Sequence, residues 1–94
     1  MKKFIAIYFE TDNFDYEGHY VETLPHVLRA TEDDNKHALR DTKEEILKDI
    51  ESELNEFYLP SREGLDPQVE RFEDRIVITD ECQICTYLIK ELNF

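Results

Sequence analysis

The chain has 94 residues, enough for one domain with a single modest hydrophobic core. Twenty-three Asp and Glu stand against eleven Lys and Arg, and the formal charge of −12 repels phosphate backbones and argues against direct nucleic-acid binding. No apolar run approaches the roughly 20 residues of a membrane span, and six Phe and five Tyr, with many Ile and Leu, exclude a wholly disordered chain.

In chain order, "KFIAIYFE" (3–10) is β-branched and aromatic and predicts a buried strand. "TDNFDYEG" (11–18) carries turn residues and closes on Gly18, which can supply a positive φ. "HYVETL" (19–24) predicts a second strand. Pro25 cannot donate a ladder hydrogen bond and marks a strand end or an edge. "HVLRATE" (26–32) predicts a third strand, and the polar "DDNKHALR" (33–40) a loop. Thr42-Lys43-Glu44-Glu45 then fits a capping box. Ile46, Leu47, Ile50, Leu54, Phe57 and Tyr58 recur at helical spacing behind it, with Glu44 and Lys48 as a favourable i,i+4 pair. Pro60 closes the pattern, so a helix is predicted over 42–59.

"SREGLDPQ" (61–68) reads as a loop, and "VERFEDRIVIT" (69–79) ends as a strand. Beyond it two patterns compete. Asp80 can cap a helix in which Cys85, Leu88, Ile89 and Leu92 keep helical spacing. "ICTYLI" also has strand composition, with Asp80-Glu81 free to form a hairpin turn. The helical reading is preferred here. Together the elements predict one α+β domain over 1–94: a small antiparallel sheet of three to four strands, helix 42–59 packed on one face, and a C-terminal helix.

Several residue groups bear on chemistry. Cys82-x-x-Cys85 could be half a zinc site or a redox pair. No second pair stands near in sequence, His19, His26 and His37 are scattered, and two core cysteines one helical turn apart is the simpler reading. Glu10, Asp12, Asp15 and Glu17 could hold Mg²⁺ for hydrolysis. Such chemistry needs the substrate's phosphates to approach against the chain's own field, so a solvated acidic turn, open to a cationic partner, is expected instead. The histidines lack a nucleophile in an elbow motif, and there is no phosphate loop or dinucleotide fingerprint. No catalytic residue, metal or cofactor is therefore expected. Tyr8, Phe9, Phe14, Tyr16 and Tyr20 are aromatic neighbours of the acids, and any that are exposed would anchor an interface.

"GHYVETLPHVLRAT" followed by "DTKEEILKDIESELNEFYLPSREG" resembles the HicB family, the antitoxin half of a bacterial toxin–antitoxin pair. Gly18, Tyr20 and Val21 match its second strand, Leu24-Pro25 the pair that ends it, Asp41, Thr42 and Glu45 the helix entry, and Leu59-Pro60-Ser61 the exit. His26 stands where the family has Asp, Arg40 replaces a Gly, and Ile46 replaces an Ala. The resemblance spans residues 3–61 and implies a HicB-like domain that neutralises an RNA-cleaving toxin. Residues 62–94 are short and not basic, so no DNA-reading tail is expected.

The reading carried forward is a non-enzymatic acidic protein that binds a basic partner, either such a toxin or a nucleic-acid enzyme. The candidate contacts are Asp12, Asp15, Tyr16 and Glu17 on the turn and Glu44, Glu51 and Glu56 on the outer face of the helix. The alternatives are a phage or mobile-element DNA mimic that inhibits a host nucleic-acid enzyme, and a small metal-dependent hydrolase. The opening "MKKFIAIYFETD" passes at once into acids with no small-residue cleavage site, and together with two cysteines it suggests a reducing cytoplasm. The sequence leaves a homodimer open.

Overall fold

The computed structural model describes residues 1–12, 25–28 and 39–93. The expected strand 19–24, most of the turn 11–18 and of the loop 33–40, and with them Asp15, Tyr16, Glu17, His19 and His37, lie outside the described residues. So do the side chains of Asp12 and His26.

The fold is α+β, an antiparallel sheet with one helix on one face. Strand β1 (Lys2–Asp12) pairs along its whole length with β5 (Gln83–Asn93), from Lys2 opposite Asn93 to Asp12 opposite Gln83. β4 (Arg75–Thr79) and β3 (Gln68–Arg71) follow β5 as a meander, and β2 (His26–Val27) lies on the far side of β1. The order is β2-β1-β5-β4-β3. The β2 edge continues at Arg40, whose amide and carbonyl exchange hydrogen bonds of 3.0 and 2.8 Å with Phe4.

Residues 80–93 therefore correct the preferred reading: they turn and form a strand, not a closing helix. The helical and strand patterns share Cys85 and Ile89. What decides between them is alternation, because Cys85, Tyr87 and Ile89 are buried on one face, with Ile84 and Leu88 on the other. The stretch 69–79 is likewise two strands, folded back at 72–74, where the Phe72 amide donates to the Arg75 carbonyl at 2.8 Å. Of the expected strand 26–32, β2 covers His26 and Val27, the Leu28 amide adds a bond to the Ala6 carbonyl at 2.9 Å, and residues 29–32 lie outside the described residues.

The helix begins where the capping box predicts. The Thr42 hydroxyl accepts from the Glu45 amide at 3.3 Å and donates to Glu45 Oε1 at 3.0 Å. Helix α1 (Lys43–Glu53) then widens into a π segment (Leu54–Tyr58) before a last α-helical turn, α2 (Leu59–Ser61). Two sequence features account for the widening. The inward residues Ile46, Ile50, Leu54 and Tyr58 are spaced by four, so in a regular helix of about 3.6 residues per turn each step drifts by about 40°. A wider turn takes up that drift and keeps Tyr58 on the core side. Pro60 has no amide proton and crowds the carbonyl four residues back. In the π segment the Leu59 amide reaches Leu54 O instead, and the chain passes through the proline. The helix thus ends at Ser61, not Leu59, with the Ser61 hydroxyl donating to the Tyr58 carbonyl at 2.6 Å.

Ile46, Ile50, Leu54 and Tyr58 pack on Ala6, Ile76, Ile78, Cys85, Tyr87 and Ile89. Ala6 and Ile89 are paired in register, and the small side chain on β1 lets the helix approach the sheet. Phe57, expected in this stripe, is instead 55% exposed. The opposite face of the sheet carries Ile5, Ile7, Phe9, Val77, Ile84 and Leu88, all half-buried. No helix among the described residues is long and apolar enough to cross a membrane.

One end of the layer is tied by an ion pair. Arg62, just past the helix, holds Asp80 in the β4–β5 turn through two bonds of 2.7 and 3.1 Å, while the Cys82 and Gln83 amides donate to the same carboxylate at 2.8 and 2.9 Å. Gly64, at φ +92°, lets the chain turn between helix and sheet. Burial works to raise the Asp80 pKa, but the bonds from Arg62 and the two amides outweigh it and hold the carboxyl below its usual range.

Two outcomes follow for stability. Ile50→Ala should cost about 2–5 kcal/mol in urea unfolding, whereas Phe57→Ala should stay within about 0.5 kcal/mol. Asp80→Asn should cost about 3 kcal/mol by stranding Arg62. Because the folded pKa of Asp80 is depressed, the wild-type contribution is fully present above about pH 4 and is lost as pH falls through the folded value. Unfolding curves of the two proteins should therefore converge in acid.

Candidate functional site

Two features could meet another molecule: the acidic exterior and a cleft between the helix exit and the sheet.

Part of the negative charge is neutralised internally. Arg71 on β3 binds both oxygens of Glu51 at 2.7 and 3.0 Å, and this hydrogen bond holds the Glu51 carboxyl below its usual range. Arg40 binds Asp49 at 2.8 and 3.2 Å, Arg75 binds its neighbour Asp74, Lys3 binds Asp41, and Lys2 lies 3.5 Å from Glu91. These pairs consume much of the basic side of the composition. Glu44, Glu56, Glu63, Glu70, Glu73 and Glu81 are exposed and form no ion pair among the described residues. Of the helix acids expected at an interface, Glu44 and Glu56 are thus available, while Glu51 is engaged with β3. Glu44, Glu45, Leu47, Lys48 and Glu51 line a shallow groove along α1.

The cleft has a volume of about 270 Å³. Its deepest residues are Tyr58, Tyr87 and Gln83, all buried. Tyr8 and Tyr87 face each other across the β1–β5 ladder, with ring centroids 5.1 Å apart and tilted by 51°. Tyr58 comes down from the π segment and meets both edge-on, at 6.5 Å from Tyr8 and 6.3 Å from Tyr87. The Tyr58 hydroxyl accepts from Gln83 Nε2 at 2.9 Å. The Tyr87 hydroxyl is enclosed and has no hydrogen-bond partner among the described residues. Burial raises the pKa of both phenols well above the ordinary value, so both stay protonated.

The rim is charged and aromatic: Glu10 from β1, Glu53 and Phe57 from the helix, and Arg62 already held by Asp80. Burial pushes the Glu53 carboxyl above its usual range, and the neighbouring Glu56 adds to the effect. Cys85 lies among the core residues, and burial pushes its thiol up to about 12, which leaves it un-ionised and inert. Cys82, half-buried in the β4–β5 turn, is not on a shared helix face with it; both are free thiols. Among the described residues no three His, Cys, Asp or Glu side chains gather as metal ligands.

The sequence drew attention to Tyr8 as an aromatic neighbour of acids and to Tyr58 as core. The preferred helical reading of 80–93 hid Tyr87 and Gln83, and nothing marked Glu53. Strand alternation at 83–89 was the signal available, since it places Gln83, Cys85 and Tyr87 on one face. The comparisons add nothing to this geometry: no family model, no curated protein and no solved structure matches the chain.

A buried hydroxyl without a partner costs about 1–3 kcal/mol. Tyr87→Phe keeps the ring and removes that cost, so it should raise stability by about 1 kcal/mol in thermal or urea unfolding of the free protein.

Proposed function

We propose that the chain is a non-enzymatic acidic binding protein that occupies a basic macromolecular partner. The observation that carries this reading is the surplus of exposed carboxylates left after the internal ion pairs are made, on α1, the π segment, β3 and the loops and turns around them. A field of this sign speeds encounter with a cation-rich surface more than it tightens the final complex. The resemblance of residues 3–61 to HicB proteins supplies the particular class: an antitoxin-like inhibitor that lays carboxylates and aromatics over the Lys and Arg with which an RNA-cleaving toxin would hold phosphates. A DNA mimic would call for a continuous row of acids. The available glutamates are instead dispersed over separate elements, which favours capture of a protein by charge and shape.

The test is whether a basic protein is encoded beside this chain and associates with it, followed by stopped flow at rising salt. The on-rate should fall steeply with ionic strength. Asp12→Lys, Asp15→Lys and Glu17→Lys combined should slow capture by about tenfold and flatten its salt dependence, and Glu44→Lys with Glu56→Lys should do the same more weakly. Rates indifferent to salt and to these reversals would refute the reading.

A further inference from the structure

We propose that the cleft beside the helix exit is an anchor pocket for one arginine side chain of the basic partner. This rests on the binding reading above and names the contact that would make it specific. Three observations converge. The walls are aromatic, with Tyr8 on the sheet side and Phe57, more than half exposed, at the mouth. Faces of such rings attract a guanidinium, which is planar and weakly hydrated. The rim carries the carboxylates of Glu10 and Glu53, and Glu53 meets no cation among the described residues. At the floor, Tyr87 is 0% exposed, and its hydroxyl is enclosed with no partner among the described residues. A buried polar atom left unmatched in the free protein is explained if a bound molecule matches it.

The chemistry selects the ligand. Carboxylates at the rim exclude anions, and Arg62, already saturated by Asp80, offers no competing anion site. The volume of about 270 Å³ falls just below the lower bound of ordinary small-molecule pockets and suits one long side chain better than a cofactor. A guanidinium brings five N–H donors in a plane, enough to serve Glu53 at the rim while one N–H reaches the Tyr87 oxygen. Glu53 and Phe57 line the cleft, half-buried and exposed respectively, and binding at the floor requires their side chains to turn aside.

The experiment needs no partner protein. N-acetyl-arginine methylamide is titrated into the chain and followed by the ring signals of Tyr8 and Tyr87 in NMR spectra, with the uncharged citrulline analogue and the lysine analogue alongside. Saturable shifts of both rings are expected with the arginine compound at a Kd on the order of 1 mM. The lysine compound should bind several-fold more weakly and citrulline should not bind. Glu53→Gln should weaken arginine binding about tenfold and Tyr87→Phe about threefold, although the latter remains folded and gains stability. Glu91→Gln, which removes the same charge at the other end of β5, should leave binding unchanged. Equal weakening by Glu53→Gln and Glu91→Gln, or equal binding of citrulline, would overturn the pocket in favour of diffuse attraction. If the arginine compound binds as described and no basic protein is captured, the pocket stands and the partner reading falls. If a partner is captured with undiminished affinity by Glu53→Gln, the pocket falls and the partner reading stands.

Discussion

The antiparallel pairing of β1 with β5 runs for eleven residues on each strand, and it fixes nearly everything else in the molecule. It sets Ala6 against Ile89, which opens the low point on which the helix rests, and Tyr8 against Tyr87, which forms the wall and floor of the cleft. A slip of one residue would turn Cys85, Tyr87 and Ile89 outward and empty the core, because side chains alternate at every step along a strand. The register is held from both sides. Alternating burial holds it on β5, and the β4–β5 turn holds it at one end, where Asp80 ties together two backbone amides and Arg62.

The long separation between these strands makes the local elements responsible for limiting the search. The meander β3-β4-β5 is made by short turns and costs little loop entropy to close. The capped helix is likewise local. Arg62 with Asp80 and Arg71 with Glu51 join helix to meander at two points. In this arrangement the internal ion pairs act mainly as fasteners between elements. The partly exposed ones contribute little energy each, while the enclosed Asp80 is expensive to leave unmatched.

What could be read from the residues divides along the same line. The helix was legible because its signals are local: the cap at Thr42, the 3.6-residue stripe and a proline. Only its end was misjudged, since a π turn absorbs Pro60 in a way that propensity does not foresee. β1 was legible from composition. β5 was not, because its residues satisfy two periodicities, and the choice between them is made by a partner strand some eighty positions away. β3 was hidden within a longer run because the turn at 72–74 lacks Gly and Pro. For the site, the charge surplus was plain from composition, yet which carboxylates remain available was not. Glu51 reads as an outer helix acid and is claimed by Arg71. Glu53, unremarkable in sequence, ends beside three tyrosines. Such juxtapositions depend on long-range pairing, which residue patterns do not carry.

The two features proposed for binding are suited to different parts of one task. Two unit charges 4 Å apart interact by about 1 kcal/mol in water and by about 4 kcal/mol at the effective dielectric of a protein surface. Salt screens the exposed glutamates over a Debye length of about 8–10 Å, so their sum acts on approach and fades under physiological conditions. A carboxylate such as Glu53, partly withdrawn from water and set among rings, is screened far less and gains most when a cation arrives. Under the proposed function, dispersed exterior charge would govern how often a basic molecule is met, and the cleft would govern which one stays. A chain of this size, with much of its basic complement already bound to its own acids, would need both: charge alone attracts every cation-rich surface, and one side-chain pocket alone is too small to find its partner quickly.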